Sequence, residues 1–248
     1  MKPDRSPGGP AQKLRAMLSV WLVSVIAALG LASAARSDEF RWFANSLGLK
    51  DASALRAELG RAFPEPFQAN LGVGKAQREA VIDRCEAWRT WNAEVTGTRP
   101  PADFAALRNQ GVRCDALVLL QRAEVASHSA LPIDLTTMTD TRLYPATLWI
   151  AVSAEATREL ARPGLTLESV SGAKQWRIDR KGLILEDDAQ GIRLVWLARG
   201  DFDHDGWEDA LYRVQAWVRN GTWTDTRLVA LTRRGALEPL VSVPLNFN

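Results

Sequence analysis

The most informative part of this chain is the loop Asp201-Phe202-Asp203-His204-Asp205-Gly206-Trp207-Glu208-Asp209. It places carboxylates at positions 1, 3, 5 and 9, with a glycine at position 6. A calcium ion takes about 6–8 oxygen ligands in irregular geometry, and glycine permits the sharp turn that wraps a chain around the ion. The spacing therefore predicts a calcium site, and the expected ligands are the side chains of Asp201, Asp203, Asp205 and Asp209 and the carbonyl oxygen of Trp207. We expect the His204 side chain to point outward.

The residues on both sides of this loop follow a period of two. The alternation covers residues 192–197 before the loop and residues 210–218 after it. Because this period is typical of β-strands, it predicts a strand–loop–strand unit. A helix–loop–helix EF-hand would also need a glutamate at position 12, where this chain has Tyr212. The dipeptide Asn220-Gly221 predicts a type I′ hairpin turn into a further strand.

Residues 200–209 resemble the signature of FG-GAP/VCBS-type repeats, which is a strand, D-x-D-G-D-G-x-x-D and a second strand. The departure is at position 4, where His204 replaces the usual glycine. The resemblance covers about residues 192–232, and the sequence shows no second copy of the unit. It implies a calcium-braced β-hairpin of the kind found in adhesion, cell-surface and secreted proteins, and it implies no reaction.

The N-terminal segment has the pattern of an export signal. Four basic residues precede an uncharged run over residues 16–35, and Ala32-Ser33-Ala34 fits a cleavage site. We therefore predict a signal peptide cut after Ala34, and the alternative is an uncleaved signal anchor. Either way the bulk of the chain is exported. The expected location is the periplasm or the cell exterior, or the inner membrane facing the periplasm if the anchor is kept.

Charge argues against a nucleic-acid partner. Residues 1–34 contain four basic residues and one acid, so their removal changes the net charge from +2 to −1. The basic pI of the whole chain therefore reflects the signal segment, and the remaining arginines are scattered along the sequence. A membrane partner is expected only if the N-terminal segment stays uncleaved.

The chain has two cysteines, Cys85 and Cys114. An even pair in an exported protein predicts one disulfide, and the alternative is two buried free thiols. Both cysteines lie on apolar faces of predicted helices, so a bridge would join two packed helices.

The remaining pattern predicts an α+β fold, with an N-terminal helical domain followed by a mainly antiparallel β domain. Helices are predicted over residues 37–47, from Asp51 to about 62, over 75–95, 101–111 and 114–124, and after Ser153. Residues 63–74 are predicted as a loop, and residues 147–152 as a strand or a buried helix. Seven strands, arranged as a meander, are predicted over residues 165–170, 175–178, 183–186, 192–199, 210–219, 222–233 and 236–243. The predicted domains are residues 1–34 as signal segment, 35–127 as helical domain, 128–146 as linker and 147–248 as the β domain with the calcium-binding hairpin.

The sequence contains no recognisable catalytic motif. A Ser-His-Asp arrangement needs a positioned histidine, but His128 lies in a predicted loop and His204 within the calcium loop. Our leading hypothesis is an exported, non-enzymatic binding or interaction module in which calcium is structural. Its partner would be a protein or glycan ligand at the cell envelope. The alternatives are a hydrolase of envelope glycan or peptide with a structural calcium, and a membrane-tethered accessory subunit.

Overall fold

The computed structural model describes residues 46–72, 78–151, 153–171, 175–179 and 182–247. They belong to one compact unit, Arg41–Asn248. The predicted signal segment and all but the end of the helix predicted over 37–47 lie outside these residues. In the described part of the chain, no helix is both long enough and apolar enough to cross a membrane.

The architecture is α+β, as the sequence predicts, with five α-helices and nine strands in the described residues. The helices are α1 (Ala52–Gly60), α2 (Cys85–Trp91), α3 (Phe104–Arg122), α4 (Ala154–Leu160) and α5 (Leu167–Ser171). The strands are β1 (Ala62–Leu71), β2 (Arg78–Arg84), β3 (Val95–Arg99), β4 (Gln175–Asp179), β5 (Gly182–Glu186), β6 (Gln190–Gly200), β7 (Asp209–Val218), β8 (Thr224–Thr232) and β9 (Val241–Val243). Asp51 and Ser153 cap α1 and α4 through their side chains, as predicted.

The six strands β4 to β9 form one antiparallel sheet in sequence order, which confirms the predicted meander. The predictions for two of the seven strands are wrong in type or in length. Residues 165–170 are not a strand but largely α5, because Thr166 and Ser169 exchange side-chain and backbone hydrogen bonds at the start of a helix. Residues 236–243 contribute only the short β9.

The prediction of a helix over residues 75–95 is wrong for its first part, because residues 78–84 form β2. The predicted loop over residues 63–74 is also wrong, since residues 62–71 form β1. These two strands and β3 make a second sheet in the order β2-β1-β3. The cross-strand pair Phe67 and Ile82 brings apolar side chains together on one face. The prolines of β1 fall where its register with β2 is irregular, a position where strands tolerate proline.

The two helices predicted over residues 101–111 and 114–124 are one continuous helix, α3, preceded by a single 3-10 turn. Gly111 does not end a helix because it has a packing role. A Cβ at Gly111 would lie 2.2 Å from the ring of Trp88, so only glycine admits this indole. The indole N–H of Trp88 donates to Asp115 at 3.0 Å. The predicted disulfide is confirmed, with Cys85 of α2 bonded to Cys114 of α3.

The six-stranded sheet is covered on both faces. On one face, α3 packs over β8 and β6, and the core includes Leu211 and Ala230. On the other face, residues 131–150 and α5 cover alternate side chains such as Tyr212 and Val214. Residues 147–152 are predicted as a strand or a buried helix, but the first two belong to a 3-10 turn over residues 146–148, in which Ala146 and Leu148 are buried. The division into helical domain, linker and β domain stays a prediction, and the described residues of all three lie in the same compact unit.

Candidate metal centre

The acidic loop connects β6 to β7, as the sequence predicts, and the pair Gly200 and Asp209 closes the hairpin beneath it. The loop turns sharply because two residues adopt left-handed backbone conformations. His204 has a φ of 65° and Gly206 a φ of 86°. Glycine suits this conformation, and a Cβ at position 206 would also approach the Ser127 hydroxyl to 3.1 Å. The buried ring of Phe202 anchors the start of the loop in the core.

The carboxylate of Asp201 holds the loop in this shape. The residue is buried, and its Oδ1 accepts the backbone N–H groups of His204 and Asp205 at 2.7 and 3.2 Å. Its Oδ2 accepts the N–H of Gly206 at 2.8 Å. A side chain that accepts N–H groups from its own turn substitutes for regular backbone pairing. Asp201 therefore organises the turn in addition to supplying a charge.

Asp209 is fully buried at the base of the loop. Its Oδ2 accepts the N–H of Phe202 at 2.9 Å, whereas Oδ1 has no hydrogen-bond partner among the described residues. Burial, together with the nearby charges of Asp203 and Asp201, raises the pKa of Asp209 to about 7. The Phe202 N–H and the nearby Thr232 hydroxyl lower this pKa, but less than burial raises it. The Thr232 hydroxyl donates its hydrogen bond to the Glu208 carbonyl at 3.5 Å. A buried carboxylate oxygen without a donor is costly unless a cation or proton compensates it.

Three carboxylates converge in the loop. Asp201, Asp203 and Asp209 each offer one oxygen, and these oxygens lie within 4.8 Å of one another. Asp203 is exposed, and partial desolvation followed by the charges of Asp205 and Asp201 raises the pKa of its carboxyl group. Like charges so close together favour a bound cation or proton. This group could therefore hold a metal ion.

Asp205, the fourth predicted carboxylate ligand, makes other contacts in this structure. Its Oδ1 accepts the N–H of Trp207 at 2.8 Å, and its Oδ2 pairs with Arg234 at 2.7 Å. The Trp207 N–H and the Arg234 guanidinium together lower the pKa of Asp205. The roles of Asp205 and of the Trp207 carbonyl as ligands stay predictions. The ring of Trp207 lies 5.3 Å from the ring of His128.

Residues 124–128, which follow α3, pair with the loop. The backbone of Glu124 exchanges two hydrogen bonds with Asp201, at 3.0 and 3.1 Å. Ser127 and His128 both donate their N–H groups to the Gly206 carbonyl at 3.0 Å. The His204 side chain is half exposed, with Nδ1 3.4 Å from the Glu124 carboxylate. Sequence reasoning missed this pairing because no local pattern joins segments almost 80 residues apart.

An ion pair supports the base of the site. Arg199 binds both oxygens of Glu208, at 2.8 and 2.6 Å, and also donates to the carbonyl groups of Pro132 and Ile133. Burial acts to raise the pKa of Glu208, but hydrogen bonds from Arg199 and Ser129 outweigh it and lower the pKa. Glu208 is thus held as a carboxylate that fixes the start of β7 against residues 129–133. No local sequence pattern predicts this ion pair.

Comparisons with protein-family models, with curated proteins and with solved structures found no match to this chain. The function is therefore inferred from the geometry of the loop and from the sequence.

Proposed function

We propose that the β6–β7 loop binds one calcium ion through Asp201, Asp203 and Asp209. The observation that carries this proposal is the buried Oδ1 of Asp209, which lacks a donor and belongs to a group of three carboxylates. A cation at this position would satisfy that oxygen and relieve the repulsion among the three charges. The ligand atoms are all oxygens. Calcium and magnesium prefer oxygen ligands, whereas zinc favours thiolate and imidazole ligands. The irregular loop favours calcium, because magnesium demands near-ideal octahedral geometry.

The proposed role of the ion is structural. Asp201 pairs with the segment that leaves α3, and Asp209 begins β7 and pairs with β8. An ion shared by these aspartates would fix the hairpin and the end of the helix relative to each other. At affinities of about 10⁻⁴–10⁻³ M, which are typical of extracellular modules, about 5 mM calcium would add about 1–2 kcal/mol of stability.

We further propose that the protein is an exported, non-enzymatic binding or interaction module. Three features support this proposal: the signal-like sequence of residues 1–34, the Cys85–Cys114 disulfide and the resemblance of the loop to FG-GAP/VCBS-type repeats. Disulfides persist in oxidising compartments outside the cytosol. The proposed partner is a protein or glycan ligand at the cell envelope.

Calcium titration of the purified protein tests the metal proposal. We expect one site per chain by calorimetry, weaker binding of magnesium and a higher melting temperature in calcium than in EGTA. Asp203→Ala should abolish these responses while the protein stays folded, because Asp203 is exposed. The matched control is Asp187→Asn, since Asp187 also accepts backbone N–H groups in a turn but lies outside the cluster. Absence of binding heat and of a melting shift at millimolar calcium would refute the proposal.

A further inference from the structure

Three arginines line a single cavity of about 660 Å³ beside the six-stranded sheet. Arg193 of β6 lies opposite Gln215 of β7, and Arg213 of β7 lies opposite Val195 of β6. Residues two apart on a strand share a face, so Arg193 and Arg213 project from the same face as diagonal neighbours. Arg113 reaches the cavity from α3, which packs over that face.

The three guanidinium groups differ in their partners. Arg113 pairs with Glu58 at 2.9 Å, and Arg193 also has an interaction partner. Arg213 makes no hydrogen bond or ion pair with any described residue, and its Nε is buried. Burial, followed by the charges of Arg113 and Arg193, lowers the pKa of Arg213. A half-buried guanidinium held beside two like charges is costly to the fold unless an anion compensates it.

The rest of the cavity wall is largely apolar. Leu47, Val195 and Leu197 line it on the same face of the sheet as the arginines, where they pack in one core cluster. The cavity lies at the point where β6 continues past β5, because the pairing of these strands ends at Leu194. Its volume is within the range of sites for small organic ligands. The wall therefore combines a cationic end with an apolar body.

We propose that this cavity binds an anionic amphiphile, in which a carboxylate or phosphate group is attached to an apolar body. Arg213 and Arg193 would hold the anion, and Leu47 and Val195, on the same face of the sheet, would contact the apolar part. Guanidinium groups match the oxygens of carboxylates and phosphates in bidentate geometry. The apolar part gains from leaving water, so neither part alone should bind as well as the two together.

Calorimetry with four small probes tests this proposal on the purified protein in calcium-free buffer, because calcium ions would pair with the anionic probes. The probes are octyl phosphate, octanoate, inorganic phosphate and octanol. At least one of the two anionic amphiphiles should bind at one site, about tenfold or more tighter than inorganic phosphate or octanol. The better of the two identifies the headgroup as phosphate or carboxylate. If neither amphiphile binds, or octanol binds equally well, the proposal is refuted.

Variants distinguish this site from general hydrophobic binding. Arg213→Met keeps the length of the side chain and should weaken binding of the preferred amphiphile about tenfold or more, with no loss for octanol. The control Arg219→Met removes an exposed arginine just beyond the end of the same strand and should leave binding unchanged. Without ligand, Arg213→Met should melt no lower than the unmodified protein, because it relieves repulsion. A lower melting temperature would mean that the chain already compensates Arg213, and it would overturn the proposal.

Discussion

Replacing Asp209 by Asn should change stability in opposite directions depending on calcium. The buried carboxyl group has a pKa of about 7, against an ordinary value of 3.8. A raised pKa means that the folded protein holds the Asp209 proton more tightly than the unfolded chain does. The stability from this proton is fully present below the unfolded pKa of 3.8 and is lost as pH rises through the folded pKa of about 7. In the calcium-free protein at pH 8, the ionised carboxylate therefore costs up to roughly 4 kcal/mol. Asparagine keeps an acceptor for the Phe202 N–H and carries no charge.

The expected gain in the free energy of unfolding for Asp209→Asn, in EGTA at pH 8, is about 1–3 kcal/mol. It is smaller than the full cost of the charge because the native protein relaxes around the ionised carboxylate. In a chain of this size, it corresponds to a rise of about 3–8 °C in the melting temperature. The gain should shrink steadily as pH falls toward 4, because Asp209 of the unmodified protein is then protonated in the folded state and close to its ordinary pKa of 3.8 in the unfolded state. Addition of calcium should raise the melting temperature of the unmodified protein but not that of Asp209→Asn.

The assay is thermal unfolding of both proteins between pH 4 and 8, in EGTA and in calcium. Asp187→Asn serves as the control, because the Asp187 carboxylate accepts two backbone N–H groups in a turn, as Asp209 accepts that of Phe202, yet lies outside the cluster. A melting temperature of Asp209→Asn below that of the unmodified protein, in EGTA at pH 8, would refute the assigned cost of the buried charge. A variant that keeps the full response to calcium would show that Asp209 is not a ligand.

Three further outcomes follow from contacts of the described residues. Replacing both Cys85 and Cys114 by alanine should cost about 3–4 kcal/mol, measured by urea unfolding, because their bond closes a loop with a sequence separation of 29 residues; an unchanged midpoint would contradict this. Gly111→Ala should cost about 1–2 kcal/mol, because its Cβ would overlap the Trp88 ring and outweigh the gain in helix propensity. Gly60→Ala, where the added Cβ meets nothing within 4 Å, is the control, and equal melting temperatures for the two variants would count against the packing argument. Calcium binding near pH 7 should release protons, since the ion displaces the proton of Asp209, and calorimetry in buffers of different ionisation enthalpy would detect this release.

The meander was predictable because its signals are local. Alternation over residues 192–197 and 210–218 fixes the faces of β6 and β7, and the Asn220-Gly221 turn joins β7 to β8. The predicted type I′ turn is wrong, because Asn220 has a positive φ of 59° but Gly221 does not, and the last paired residues, Trp217 and Thr224, leave a longer connection than two residues. The acidic loop itself was predictable for the same reason, since its spacing lies within nine residues.

The second sheet could not be predicted from local pattern. Residues 78–84 precede a true helix, and an apolar stripe through Val81, Cys85 and Trp88 fits the helical period. The structure instead exposes half of Val81 and buries Ile82 opposite Phe67. Pairing with a strand that contains two prolines decides the conformation, and strand preference depends on such context more than helix preference does.

The candidate metal site was predictable in composition but not in surroundings. Three of the four predicted aspartates converge, whereas Asp205 pairs with Arg234, which lies 29 residues further along the chain. The pairing of Glu124 with Asp201 and the Arg199–Glu208 ion pair also depend on how distant elements fold together. Side-chain spacing within one loop carries no information about such neighbours.

The contact between Trp88 and Gly111 ties together the identities of two positions on different helices. As long as an indole fills that space and donates to Asp115, any side chain at position 111 of the facing helix lowers stability. In any descendant of this sequence, an alanine or serine at position 111 should therefore appear only after, or together with, a smaller residue at position 88. The two sites are expected to evolve as a pair, and the order of their changes is set by volume.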